Sequence, residues 1–163
     1  SYINRGISGQ TTAQMLVRFR ADVIDLRPKA VVILAGTNDI AGNTGPATIK
    51  MIADNIISMA ELARQNNILV VISSVLPVYD YSWKPGLEPA PKISKLNKII
   101  KNYALKHGHT YLDYYAALVD DKKGLDEKYT SDGVHPNKEG YKVMAALAEQ
   151  ALAKTLDYGR LKK

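Results

Sequence analysis

Apolar residues recur along this 163-residue chain with two alternating patterns. Short continuous runs rich in β-branched residues, at 30–35 and 68–73, are typical of strands buried on both faces of a sheet. Longer stretches carry apolar residues every three or four positions, as on the inner side of an amphipathic helix. The predicted helices cover residues 12–26, 46–67, 92–106, 114–119 and 138–156. Further short strands are predicted at 2–4 and 110–113.

Strands that alternate with helices predict one α/β domain over residues 1–163, with a parallel sheet between two layers of helices. In such sheets, ligands bind in the crevice beyond the carboxyl ends of the strands. Gly9, Asn38 and the irregular stretch 77–91 all follow predicted strands and fall at that edge. We therefore expect the functional site there.

Composition narrows the classes of function. The chain has no cysteine, which excludes disulfides, thiolate metal ligands and a cysteine nucleophile. The net charge of +6 is spread out, because Lys92, Lys95 and Lys98 alternate with apolar residues as on the solvated face of a helix. We predict no nucleic-acid partner, and the apolar runs are too short for the ~20 residues that span a bilayer.

Candidate chemistry is concentrated in Asp132-Gly133-Val134-His135-Pro136. A turn through the glycine would bring the Asp132 carboxylate onto the His135 imidazole, fix its tautomer and stabilise its protonated form. Asn38, in Gly36-Thr37-Asn38-Asp39, offers an amide N–H₂ to a developing oxyanion. Taken alone, each has a structural alternative: a capping aspartate with a surface histidine, and an Asx-turn asparagine.

Together with Ile7-Ser8-Gly9, these phrases resemble successive sequence blocks of the SGNH hydrolases, the GDSL-type esterase and lipase superfamily. The resemblance covers nearly the whole chain in the right order. It implies a flavodoxin-like three-layer α/β/α sandwich with strand order 2-1-3-4-5. It also implies that His135 is the general base, Asp132 its orienting acid, and Gly9 and Asn38 the oxyanion donors, with no cofactor and no metal.

The nucleophile is the part that this sequence does not supply, because the family's Gly-Asp-Ser block is missing from it. We expect that block, with its strand, upstream of Ser1. In the family's order that strand lies between 2–4 and 30–35, so we expect another polypeptide segment, upstream residues or a swapped strand, to fill the position. Ser8, Ser131, Ser73 and Ser74 are poor substitutes by sequence context.

The aromatic residues of 77–91 have two interpretations. Trp83, Tyr79 and Tyr81 form either an apolar patch beneath a long loop or an aromatic wall for substrate, and we assign Trp83 and Tyr79 to substrate binding. His107 and His109 lack a third ligand for a metal site.

The resulting hypothesis is a serine esterase that removes acetyl or another small acyl group from a carbohydrate or similar ester. The alternatives are a catalytically inactive relative that binds carbohydrate or another ligand, and a non-catalytic flavodoxin-like module. The resemblance slightly favours a secreted or periplasmic location.

Overall fold

The computed structural model describes residues 1–161. Its helices and strands alternate along the chain much as the apolar pattern predicts. The helices are α1 (Thr12–Phe19), α2 (Thr37–Ile40), α3 (Ile49–Gln65), α4 (Pro89–Lys106), α5 (Tyr114–Leu118) and α6 (Lys138–Leu161). The strands are β1 (Ala30–Ile33), β2 (Leu69–Ser73) and β3 (Thr110–Leu112). Among the described residues, no helix is both long and apolar enough to cross a membrane.

The three strands form a parallel sheet in the order β1-β2-β3, with Ala30 opposite Leu69 and Val71 opposite Thr110. Side chains of successive strand residues point to opposite faces. Val70 and Ile72 pack in the larger core with α3 and α4, whereas Val71 packs in the smaller core with α5 and α6. The sheet is therefore buried between helices on both sides, which confirms the predicted α/β/α arrangement.

The outer edge of β1 is open in the described part of the chain. Val32 and Leu34 point to the α6 side and remain 37% and 40% exposed, and no described strand pairs with this edge. The predicted strand Tyr2–Asn4 is wrong: this segment is extended but unpaired, and Tyr2 is 77% exposed. A strand needs a neighbour to accept its backbone hydrogen bonds, and none lies beside these residues.

Helix boundaries also differ from the prediction. The helix predicted over 12–26 is α-helical only to Phe19 and continues as a π-helical segment, Arg20–Ile24, where Asp25 N donates to Arg20 O at 2.9 Å. Helix α4 begins at Pro89, earlier than predicted, because proline is tolerated in a first helical turn. Thr37–Ile40, which the sequence did not predict as helical, forms the short helix α2 with Gly36 at its N-cap.

Candidate active site

A turn between Thr130 and α6 brings Asp132 and His135 together. Gly133 has φ of 78°, a backbone conformation that favours glycine, and this turn folds the Asp132 side chain back along the chain. Asp132 Oδ2 lies 2.7 Å from Nδ1 of His135, while Oδ1 accepts hydrogen bonds from the backbone N–H groups of Val134 and His135 at 2.9 and 2.8 Å. The predicted contact between carboxylate and imidazole is therefore confirmed.

These hydrogen bonds hold Asp132 in its charged form. The backbone N–H of His135, then its imidazole, then the backbone N–H of Val134 lower the pKa of Asp132 well below its usual range. The ionised carboxylate can only accept, so it orients the Nδ1–H of a neutral His135 and leaves Nε2 as the basic nitrogen. The His135 side chain is 73% exposed, and Nε2 makes no hydrogen bond to any described residue.

Thr130 is a further residue of this turn that the sequence reasoning did not single out. Its hydroxyl is almost buried, donates to the carbonyl of His135 at 2.8 Å, and accepts from Gly133 N at 3.0 Å and Asp132 N at 3.2 Å. The Thr130 side chain thus forms hydrogen bonds with residues at both ends of the turn. A hydroxyl two residues before the aspartate is the signal that could have found it, since such residues cap turns.

The Gly9 loop and the Asn38 block meet at the amino end of α1. Asn38 Nδ2 donates to the carbonyl of Gln10 at 2.9 Å, and Asn43 Nδ2 donates to the carbonyl of Gly9 at 2.9 Å. Gly9 has φ of 78°, and its N–H has no acceptor among the described residues. The structure therefore brings the two predicted donors into one neighbourhood, with the Gly9 N–H and one amide hydrogen of Asn38 still available.

Asp39 fixes this arrangement and was missed as a site residue. It is 5% exposed, and both carboxylate oxygens accept from the backbone N–H of Thr12, at 3.1 and 2.9 Å. The Thr12 hydroxyl also donates to Asp39 Oδ1 at 2.5 Å and accepts from Asn55 Nδ2 at 3.0 Å. A carboxylate at the amino end of α1 is favoured by the helix dipole, so Asp39 anchors the loop that carries Gly9.

Glycine is required at the start of this block. Gly36 has φ of 121°, and a Cβ there would lie 2.9 Å from Cδ2 of Leu96 and 3.2 Å from Cγ2 of Val75. The close approach of core side chains leaves no room for a larger residue. The backbone between β1 and α2 therefore packs directly against the core at Gly36. This contact fixes the position of Asn38, two residues further along the chain.

The aromatic loop, residues 77–91, contacts both the Asn38 block and the Asp132–His135 turn. Tyr81 is 1% exposed and donates its hydroxyl to the carbonyl of Thr37 at 3.1 Å, so it belongs to the core. The Trp83 ring lies 5.2 Å from the Tyr81 ring and 6.3 Å from the His135 ring, nearly parallel to the latter. Trp83, which is 56% exposed, therefore covers one side of the candidate base.

Tyr79 belongs to the same loop but is exposed. It is 64% exposed and borders an open cleft of about 310 Å³, together with Asp80, Asp120 and Asp132. The two interpretations of the aromatic residues thus apply to different side chains. Tyr81 packs in the core, whereas Trp83 and Tyr79 border the space around the dyad.

Among residues 1–161, no serine hydroxyl forms a hydrogen bond with the His135 imidazole. Ser73 is buried and donates to the carbonyl of Ser74 at 2.9 Å, and the Ser74 hydroxyl accepts from Tyr115 N at 2.8 Å. Ser8 and Ser131 are exposed, and neither bonds to the imidazole. The part of the chain that the structure describes therefore holds a candidate base, a candidate orienting acid and potential oxyanion donors.

Comparison with known proteins agrees with this set of blocks. The family model of GDSL-like lipases and acylhydrolases matches residues 1–143. The chain belongs to this family. Its resemblance to the SGNH hydrolases is thereby confirmed, and the Gly9, Asn38 and Asp132–His135 blocks lie inside the matched range. Membership of the GDSL-like family indicates hydrolase chemistry and leaves the substrate open.

Solved structures show that the fold is shared as well. A GDSL-like lipase from Bacteroides thetaiotaomicron is 50% identical, with a TM-score of 0.91 over 94% of this chain and 76% of that one. A protein from Bacteroides fragilis assigned as an acylhydrolase is also 50% identical, with a TM-score of 0.92 over 95% of this chain and 76% of that one. Both likenesses confirm the α/β fold of the GDSL-like family.

A curated relative is the uncharacterized lipoprotein YqeF of Bacillus subtilis, 34% identical over 88 residues. The match covers 52% of this chain and 36% of that lipoprotein, so the chain spans only about a third of its length.

Proposed function

We propose that this protein is a serine ester hydrolase that transfers acetyl or another small acyl group from a carbohydrate or similar alcohol to water. The observation that carries the proposal is the 2.7 Å contact between Asp132 Oδ2 and His135 Nδ1. A carboxylate that fixes one imidazole nitrogen leaves the other free to remove a proton from a nucleophile. Membership of the GDSL-like family supports the same chemistry.

In the proposed mechanism, Nε2 of His135 accepts the proton of a serine hydroxyl as its oxygen forms a bond to the ester carbonyl carbon. The carbonyl oxygen becomes an oxyanion and receives hydrogen bonds from the Gly9 N–H and the Asn38 amide. Collapse of this intermediate breaks the bond to the alcohol, which leaves with the proton from Nε2. A water molecule, deprotonated by His135, then releases the acid and restores the serine.

The serine is proposed to lie on a polypeptide segment that pairs with the outer edge of β1. An unpaired strand edge is a template for another strand, and Val32 and Leu34 leave apolar surface beside this edge. A parallel strand placed there would end at the same edge of the sheet as β1, beside the Asn38 block. The segment is either upstream sequence of a longer protein or a strand from a second chain. The chain together with this segment is called the completed domain below.

The cleft beside the dyad supports a polyhydroxylated leaving group. Tyr79 offers an exposed ring face, and Asp120 Oδ2 makes no hydrogen bond to a described residue. An aromatic face with acceptors at its edge is suited to sugar hydroxyls. Trp83, whose ring lies 6.3 Å from that of His135, is proposed to cover the acyl or sugar group.

A second candidate is a catalytically inactive relative that binds carbohydrate or another ligand in the same cleft. The observation that favours it is that no described serine bonds to His135. This alternative predicts saccharide binding without turnover, even when the sheet is complete.

The decisive experiment has two parts. The coding sequence upstream of Ser1 is read for a Gly-Asp-Ser after an apolar strand, and the completed domain is assayed with 4-nitrophenyl acetate and an acetylated monosaccharide. We expect hydrolysis of both, and loss of activity when that serine or His135 is replaced by alanine. His107→Ala, which changes an exposed histidine at the end of α4, is the matched control and should retain activity. Binding of the sugar with no hydrolysis would favour the inactive relative instead.

A further inference from the structure

A second cavity, of about 250 Å³, lies between residues 39–49 and 84–92, and none of the Asp132–His135 turn lines it. Part of its lining is apolar and comes from Ile40, Ile49 and Leu87. Lys84 and Lys92 also line the cavity. An apolar lining with a few charged groups is the usual composition of a small-molecule site.

Neither ammonium group is neutralised by a carboxylate of the described chain. Lys84 Nζ donates to the carbonyl of Ala41 at 3.4 Å, and Lys92 Nζ donates to the carbonyl of Leu87 at 2.6 Å. No ion pair within residues 1–161 includes either lysine. Each ammonium has three donors and uses one of them here, so both keep donors for a ligand.

The acidic residue that borders the cavity does not compensate this charge. Asp39 lines it, but both of its carboxylate oxygens accept hydrogen bonds from the backbone N–H of Thr12. Asp39 forms an ion pair with neither lysine. The cavity is therefore lined by two ammonium groups with unused donors and by one carboxylate that already accepts hydrogen bonds from Thr12.

Gly42 lies close to the Lys84 ammonium at the cavity wall. Its φ is 76°, which favours glycine, and a Cβ at this residue would lie 3.1 Å from Nζ of Lys84. Without a side chain there, the ammonium approaches the backbone of residues 41–42, where it donates to the Ala41 carbonyl.

We propose that this cavity, which adjoins the Asn38 block through Asp39 but contains none of the Asp132–His135 turn, is a binding site for a small organic anion. A carboxylate or phosphate group of the ligand lies between Lys84 and Lys92, and a short apolar portion lies against Ile40, Ile49 and Leu87. The volume is below the ~300–1,000 Å³ that is typical for drug-sized ligands, so the ligand is small. The proposal does not depend on esterase activity, because binding is measured without turnover.

The test is titration of the protein with hexanoate, followed by calorimetry and by amide chemical shifts of residues 39–49. We expect saturable binding that weakens as salt is raised, because the exposed charges are screened. Lys84→Gln and Lys92→Gln should each weaken binding about three- to tenfold, corresponding to an exposed charge–charge interaction. Lys95→Gln, which changes an exposed lysine on the same helix as Lys92, should leave the affinity unchanged.

Further probes separate the two possible anionic groups. Tighter binding of hexyl phosphate than of hexanoate would identify the ligand as a phosphate ester. Tighter binding of hexanoate would identify it as a carboxylate. Either result supports an anion site in this cavity. Weaker binding of inorganic phosphate would show that the apolar wall contributes. Equal affinity for hexan-1-ol and hexanoate, or unchanged affinity in the Lys84→Gln/Lys92→Gln double variant, would overturn the proposal, as would the absence of any saturable shift in residues 39–49.

Discussion

Replacement of Thr130 by valine tests whether its hydroxyl positions the candidate dyad. Valine keeps the shape but removes the acceptor for Asp132 N and Gly133 N and the donor to the His135 carbonyl. At ~0.5–1 kcal/mol for each of these three hydrogen bonds in a partly hydrated turn, the unfolding free energy should fall by about 1.5–3 kcal/mol. For a domain of this size that lowers Tm by about 3–12 °C. Displacement of the imidazole should also lower kcat by about 10–100-fold.

The assay combines thermal unfolding with hydrolysis of 4-nitrophenyl acetate by the completed domain, well below the Tm of the variant. Thr155→Val is the matched control, since Thr155 is equally buried and its hydroxyl donates to the Ala151 carbonyl in α6. It should lose stability and keep kcat, whereas Thr130→Ser should restore kcat. A Thr130→Val variant with normal kcat and only a lower Tm would refute the positioning role.

The remaining predictions concern the other site residues of the completed domain. Asn38→Ala should lower kcat about 10²–10³-fold, the usual loss for one oxyanion donor, whereas His135→Ala should remove several orders of magnitude; equal, small effects would contradict both assignments. Because its hydrogen bonds lower the pKa of Asp132, this carboxylate stays ionised well below its ordinary pKa of 3.8; the stability that it contributes is complete above that pH and is lost as the pH falls through the lowered pKa. The acid limb of kcat/KM should therefore contain no ionisation of Asp132, and a limb that requires two ionising groups would contradict this assignment. Trp83→Ala should raise KM for an acetylated sugar more than for 4-nitrophenyl acetate. Equal changes in both KM values, together with a lower Tm, would show that the role of Trp83 is purely structural.

The parts of the fold that follow from local pattern were predictable from sequence. β-Branched runs identified β1 and β2, and the Gly133 turn between Asp132 and His135 predicted a contact that the structure contains. These features depend on neighbours in the chain. The Tyr2–Asn4 strand failed because a strand exists only through a partner, which local sequence does not contain.

Contacts between distant segments were not predictable in the same way. Asp39 and Thr12 are separated by 27 positions, and only the folded chain shows that the carboxylate holds the amino end of α1. Tyr81 and Trp83 are two residues apart and equally aromatic, yet one is buried and the other covers His135. Their difference follows from the packing of the loop against α2.

The stacking of Trp83 on His135 gives the site an optical reporter. The chain has one tryptophan, so the indole emission of this chain comes from a ring 6.3 Å from the candidate base. A ligand that enters the space beside His135 changes the surroundings of this one indole. Its emission therefore reports binding next to the candidate base directly, in the absence of turnover.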